Sequence, residues 1–318
     1  MNILVTGGSG FIGSHFIEEI FKRDKSAYVW NIDCNTYAAN KNLPFQNNTR
    51  YQKLTLDIST PNFSDSKKYI DSLNLDYVIH FAAESHVDNS IKSPKRFIET
   101  NIGGTFNLLE MFKDTNIKKF IHISTDEVFG SLSYKEREFN TDSPYRPNSP
   151  YAASKAASDL LVRSYVKTYN FPAIITNCSN NFGPRQFAEK LIPVCIDKLK
   201  KKETIPLYGN GLNIRDWIYV KDHVNAIICV MQDGIVGKQY LIGGNNEISN
   251  IQLIHLIVSV YETITKQKVD WEWFEYVTDR KGHDFRYAVD TKDFEMEFPQ
   301  FNTTDFDKAI LETVKSYL

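Results

Sequence analysis

Five short β-rich apolar runs alternate with longer amphipathic segments in the first half of the chain, and a glycine turn follows the first run. Together these features predict an α/β fold. The runs are "NILVT", "YVWNID", "YQKLTL", "DYVIHFAA" and "KKFIHIS". Strands separated by helical segments pair in parallel, because each crossover returns the chain to the same end of the sheet. The expected architecture is a Rossmann-type doubly wound parallel sheet with a smaller mixed α/β substrate-binding domain.

A long helix is expected over "NSPYAASKAASDLLVRSYVKTYN", with Ser149 as N-cap and Pro150 at the first helical position, where its missing N–H costs nothing. "PAIITNC" then supplies another strand. After Cys178 the rhythm loosens into segments rich in Gly, Pro and Asn. The expected division is residues 1–178 for a dinucleotide-binding domain that carries the catalytic residues, and 179–318 mainly for the substrate side. Some later segments are free to rejoin the first sheet.

Composition narrows the function. With 318 residues, 42% of them apolar, the chain can bury a substantial core, and a net charge of −2 gives no global field for nucleic acid or anionic lipid. An anionic ligand must be held locally. No apolar run approaches the roughly 20 residues that cross a bilayer, so no membrane partner is expected. Cys34, Cys178, Cys195 and Cys229 form no CxxC pair, and no signal peptide precedes "MNILVTGG". Reduced, buried, structural thiols in a cytoplasmic protein are the expectation, with no metal site.

"VTGGSGFIGSHFIEEIF" sets Gly8, Gly10 and Gly13 in G-x-G-x-x-G spacing between a strand and a helix. Glycines let the backbone approach a pyrophosphate, and the helix N-terminus offers free N–H groups. Asp33, 20 residues after Gly13, ends the second strand. A carboxylate there accepts both ribose hydroxyls and repels a 2′-phosphate, which favours NAD over NADP. Asp57 and Ile58, after the third strand, are placed to flank the adenine.

Tyr151 and Lys155 are four apart on the long helix and share a face. An ammonium beside a phenol lowers its pKa and lets tyrosinate act as a base. Ser124 or Thr125 at the end of the "FIHIS" strand can complete a site that oxidises an alcohol. The arrangement resembles the extended short-chain dehydrogenase/reductase superfamily. "STDEVFG" then places Asp126 and Glu127 at the carboxyl edge of the sheet. Two carboxyls in unequal environments can divide acid and base work, which an elimination beside an oxidant requires.

"GGSGFIGS", "HFAAESHVDNSI", "ISTDEVFG", "SPYAASKAASD", "TNCSNNFGP", "EKLIP", "IRDWIYVKDH" and "DRKGHDFRYAVD" together resemble the dTDP-glucose 4,6-dehydratase family, in that family's order and over nearly the whole chain. The resemblance implies that NAD oxidises C4 of a nucleotide-linked glucose, that water is lost across C5 and C6, and that the hydride returns to C6. Tyr151 would then be the base at the C4 hydroxyl, Lys155 would tune it and hold the nicotinamide ribose, and Thr125 would bind the sugar near C4. Glu127 would take the C5 proton and Asp126 would protonate the departing hydroxyl.

The same resemblance lines the cofactor with Gly7, Gly10, Phe11, Ile12 and Gly13, then with Asp33, Cys34, Asn35, Thr36, Asp57 and Ile58. Phe81, Ala82, Ala83 and Ser85 would line cofactor and sugar, Thr100 would lie behind the nicotinamide, and Asn181 would face the cofactor. For the nucleotide sugar it implies Ser85, Asn180 at the diphosphate, Lys190 with Leu191 at the nucleotide, and Pro206, Leu207 and Tyr208 under the base with Asn250 close by. A diphosphate carries about two charges and needs convergent cations and amides; Arg215, Arg280 and His283 are the natural partners. A homodimer through the Tyr151 helix and its neighbour is also implied.

Departures from the family pattern fall in the substrate half: Arg185 and Ala188 stand where an aromatic and a proline are expected, and Lys281 and Phe285 depart in the "DRKGHDFRY" segment. UDP-glucose or another nucleotide sugar remains an alternative substrate. A nucleotide-sugar 4-epimerase shares the fold but has no use for the acid and base pair, and a noncatalytic NAD-bound scaffold has no use for any of these groups.

Overall fold

A computed structural model describes residues 1–318. Seven strands form one sheet: β1 (Asn2–Thr6), β2 (Tyr28–Ile32), β3 (Tyr51–Leu54), β4 (Tyr77–His80), β5 (Lys119–Thr125), β6 (Ala173–Cys178) and β10 (Gln239–Ile242). Their order is β10-β6-β5-β4-β1-β2-β3, and every neighbouring pair is parallel. The chain builds outward from β1 in one direction and then in the other, so a crevice opens at the carboxyl ends of β1 and β4.

Both faces of the sheet are covered, which is why its strands read as nearly continuous apolar runs. Helices Phe11–Arg23 and Val220–Asp233 pack on each other and close one face, burying Phe16, Ile20, Ile227 and Met231 against Val5, Ile79 and Ile121. On the other face, helices Thr105–Phe112 and Pro150–Tyr169 bury Leu108, Phe112 and Val162 against Leu4, Val78 and Phe120. The Pro150 helix starts where its sequence signals say: the Ser149 hydroxyl accepts from Ala152 N at 3.1 Å, and Pro150 follows it. Asn170 ends it in the left-handed conformation.

Beyond Cys178 lie β7 (Asn180–Phe182), β8 (Ile205–Tyr208), β9 (Ile214–Tyr219), β11 (Glu247–Ser249) and β12 (Phe274–Val277). β9 sits between antiparallel β11 and parallel β7, and β8 pairs in parallel with β12. A separate core of Phe182, Ile196, Leu207, Trp217, Leu253 and Ile310 holds this side together. Strand β10 and helix Val220–Asp233 come from the later half yet belong to the first sheet and its covering layer. Cys178 and Cys195 are buried, but Cys34 is exposed and Cys229 only half-buried, so burial does not describe all four thiols. No helix is long and apolar enough to cross a membrane.

Candidate active site

The glycine turn is built by close backbone packing. Gly7 has φ 72°, where a side chain is strained, and its N–H donates to Ile32 O at 2.8 Å. A Cβ on Gly13 would lie 2.5 Å from Gly7 O, so the helix reaches this turn only with glycine there. Asp33 stands directly after β2, and its two oxygens accept from Ser9 N at 2.9 Å and Asn35 N at 2.8 Å. Those bonds fix the carboxylate while leaving lone pairs on both oxygens for a ligand.

From this turn a cleft of about 320 Å³ runs along the carboxyl ends of the strands. It is lined by Gly7, Gly10, Phe11, Ile12 and Gly13, by Asp33, Cys34, Thr36, Asp57 and Ile58, and by Phe81, Ala82, Ala83, Ser85 and Thr100. Thr125, Asp126, Glu127, Tyr151, Lys155, Asn180, Asn181 and Lys190 line its other end. Several wall atoms, Thr100 Oγ1, Asn180 Oδ1, Ser179 Oγ, Gln186 Oε1 and Asp126 Oδ2, are buried with no hydrogen-bond partner. Buried polar atoms are nearly always paired, so these point to a polar ligand. The glycine cradle, the fixed Asp33 carboxylate and the unpartnered polar atoms fit a dinucleotide.

At the end of β5 the chain turns through a short 3-10 helix, Asp126–Phe129, for which the Thr125 hydroxyl is the N-cap, accepting from Glu127 N at 3.3 Å. This turn delivers two consecutive carboxyls to different surroundings. Asp126 is 1% exposed, accepts only a 3.3 Å bond from Thr125 Oγ1, and its Oδ2 has no partner. Burial, with Glu127 and Asp216 nearby, pushes it well above the usual carboxylate range. Glu127 is pushed up too, mainly by burial, but Lys190 and Arg215 pull in the opposite direction. One acid is thus held protonated more firmly than its neighbour.

Tyr151 is buried beside them, and burial, Glu127, Cys178 and Asp126 push its phenol well above the usual tyrosine value. Lys155, expected to tune this phenol, donates its Nζ to Ile123 O at 2.8 Å; a fully buried ammonium needs such a partner.

Across the cleft Asn181 is locked: its Nδ2 donates to Ser179 O at 3.0 Å and its Oδ1 lies 2.8 Å from His223 Nδ1. Lys190 Nζ donates to Ser85 O at 3.0 Å. Asn35, Leu191, Pro206, Leu207, Tyr208, Arg215, Asn250, Arg280 and His283 do not line the cleft. Leu207 is a core residue at 1% exposure, whereas Pro206 and Tyr208 are half-buried, as alternation along β8 requires. Leu191 and Asn250 open the helices Leu191–Lys201 and Asn250–Thr265. Asn35 takes the left-handed conformation.

The expected cations are paired within the protein. Arg215 donates to the carbonyls of Ile214, Asp284 and Phe285 and stacks 4.3 Å from the Tyr287 ring. Arg280 lies 2.8 Å from Asp88 Oδ1 and 5.1 Å from the Tyr208 ring, and His283 Nδ1 is 2.6 Å from Asp279. Arg185 turns away from the cleft to Glu18 at 2.6 Å and to His15, and Ala188, Lys281 and Phe285 are exposed.

Sequence reasoning missed Asp88, and it missed Arg96, which lines the cleft and links Asp57 at 3.0 Å to Glu84 at 3.4 Å. A lone arginine in "SPKRF" carries no signal that could have found it.

The family model for GDP-mannose 4,6 dehydratase matches residues 4–313. A dTDP-glucose 4,6-dehydratase of Haemophilus influenzae is 44% identical, covering 100% of this chain and 98% of its own. The chain belongs to the dTDP-glucose 4,6-dehydratase family. A dTDP-glucose 4,6-dehydratase from Streptomyces venezuelae, solved with NAD bound, superposes with TM-score 0.91 at 39% identity, covering 100% of this chain and 97% of that one. A UDP-glucose 4-epimerase from Thermotoga maritima reaches TM-score 0.88 at 26% identity over 100% and 98% of the two chains. This chain and the epimerase therefore share a scaffold.

Proposed function

We propose that this chain is an NAD-dependent hydro-lyase that converts dTDP-glucose to dTDP-4-keto-6-deoxyglucose and water. The observation that carries the reaction type is the pair of unequal carboxyls, Asp126 and Glu127, beside Tyr151 in one cleft. An epimerase needs only the phenol and the cofactor. Relatives that cover the chain end to end carry the dTDP-glucose name, which favours dTDP over GDP or UDP at the nucleotide.

NAD bound in this cleft would supply a reversible hydride acceptor for the C4 hydrogen of the sugar, which ends at C6. The protein holds the cofactor and handles protons. Gly7, Gly10 and Gly13 would let the pyrophosphate approach, Asp33 would hold the adenosine ribose, and Thr100 would lie towards the nicotinamide. Tyr151 accepts the proton of the C4 hydroxyl, and Thr125 orients that hydroxyl. For this, Lys155 must exchange the Ile123 carbonyl for the cofactor ribose and the phenol. The C4 ketone makes the C5 proton acidic, Glu127 removes it, and protonated Asp126 donates to the C6 hydroxyl as it leaves as water.

On the substrate side, Asn180 and Lys190 would meet the diphosphate and nucleotide within the cleft; Arg215, Arg280 and His283 lie outside it and would have to leave their protein partners to join them. Tyr208 and Pro206 flank the base. We further infer a homodimer, because Ile98, Phe106 and Leu160 leave apolar side chains about half exposed on the Tyr151 helix and its neighbours; a monomer by light scattering would contradict it. A cytoplasmic location follows from the nucleotide-sugar substrate. The function is tested by product analysis with dTDP-, UDP- and GDP-linked hexoses: a 4-keto-6-deoxy product from dTDP-glucose is expected, and a C4 epimer would overturn the reading.

A further inference from the structure

We propose that Asp159 is a positioning residue, the buried counter-charge to Lys155 and the hub that fixes the end of β5 beneath Thr125. The proposal rests on the reading of Lys155 as the cation that activates Tyr151.

Tyr151, Lys155 and Asp159 follow at intervals of four on one helix and share a face. Asp159 is 1% exposed and Lys155 3%. Asp159 Oδ2 accepts from Ser124 Oγ at 2.9 Å, Tyr145 OH at 3.0 Å and Asn177 Nδ2 at 3.0 Å, and His122 Nε2 lies 3.1 Å from Oδ1. Every one of these neighbours can donate, so the site is built for a carboxylate.

These partners come from three separate parts of the chain. His122 and Ser124 belong to β5, Asn177 to β6, and Tyr145 to the loop before the Pro150 helix. Asn177 Nδ2 also donates to Thr125 O at 3.0 Å, and Gln239 of β10 donates to Asn177 Oδ1 at 2.7 Å and to Tyr145 OH at 3.0 Å. Asp159 therefore holds in place the strand end that carries Thr125 and Asp126.

Lys155 lies one helical turn from this carboxylate on the same helix face. Burial and the Lys155 charge push His122 down, and burial with the charges of His122 and Lys155 does the same to His80, whose ring lies 5.2 Å away. Burial pushes the Cys178 thiol on β6 up to about 12 and the Tyr145 phenol higher still. Burial pushes Lys155 down, and Asp159 is the foremost charge that opposes it. Asp159, His122, Tyr145 and Asn177 do not line the cleft, so the role is one of positioning and charge support.

Asp159→Asn tests it, because the amide keeps the shape and loses the charge. With dTDP-glucose as substrate, the alkaline limb of kcat against pH should move down by about 1 to 3 pH units, while KM stays nearly unchanged. A folded Asp159→Asn enzyme whose limb does not move overturns the proposal. Wild-type enzyme that makes no product in the same assay instead overturns the reading of function. If Asp159→Asn fails to fold, the double variant Lys155→Met/Asp159→Asn decides: recovery of folding when both charges are gone supports the pairing, and continued failure overturns it.

Discussion

Lys190 Nζ donates to the Ser85 carbonyl at 3.0 Å, joining two walls of the cleft across 105 residues of sequence. The same ammonium is the foremost group that opposes the rise of the Glu127 pKa. Its removal should therefore be felt in two ways. Lys190→Met should raise KM for the nucleotide sugar by about 10-fold or more, since a charged hydrogen bond contributes roughly 1.5 to 3 kcal/mol. It should also move the acidic limb of kcat upward, as Glu127 holds its proton to higher pH. Steady-state kinetics across pH checks both, and an unchanged KM would remove Lys190 from substrate binding.

Tyr151→Phe should reduce turnover by about 100- to 10,000-fold, the usual contribution of a general base. The phenyl ring keeps the packing against Phe97. Cofactor content, read by absorbance after denaturation, should be unaffected. Near-normal turnover would assign the C4 base to another residue.

Asp126 and Glu127 should be separable. Asp126→Asn keeps the shape of the buried turn but cannot protonate the leaving hydroxyl, so reduced nicotinamide should accumulate on the enzyme while product release falls. Glu127→Gln should block exchange of the C5 proton with solvent. Stopped-flow absorbance and deuterium exchange distinguish the two, and identical behaviour of both variants would contradict the division of labour.

Two buried histidines should lower stability on the acid side, against the opposite contribution of the buried carboxyls Asp126 and Glu127. Burial pushes His223 down to about 3, and burial with the Arg185 charge pushes His15 down to about 4. Between those values and 6.5 the unfolded chain binds protons at these histidines that the folded chain does not, so their contribution to stability is full above 6.5 and declines as pH drops below it. The loss should level off only below the folded values and amount to a few kcal/mol, because a tenfold change in proton affinity is worth about 1.4 kcal/mol. Thermal unfolding from pH 7 to pH 4 checks the direction, and His223→Gln should blunt the decline.

What the sequence made legible was local. Gly13 and Asp33 lie at fixed distances from one strand and helix, and Tyr151 with Lys155 on one helix face, so spacing alone brings them to the cleft. What it left hidden depends on partners far along the chain. Arg280 reads as a free cation until Asp88, 192 residues away, is found beside it. Leu207 sits among predicted ligand residues, but the strand alternation that turns it into the core appears only once β8 has paired with β12. Lys155 shows the same limit: its spacing from Tyr151 was readable, and its bond to Ile123 was not.

The fate of one hydrogen decides whether the cofactor is only borrowed during dehydration. dTDP-glucose carrying deuterium at C4 is converted without added oxidant, and the product is examined by NMR and mass spectrometry. Return of the hydride within one turnover requires deuterium at C6, a solvent hydrogen at C5 and no accumulation of free reduced cofactor. Deuterium recovered at C4, in either configuration, would contradict it.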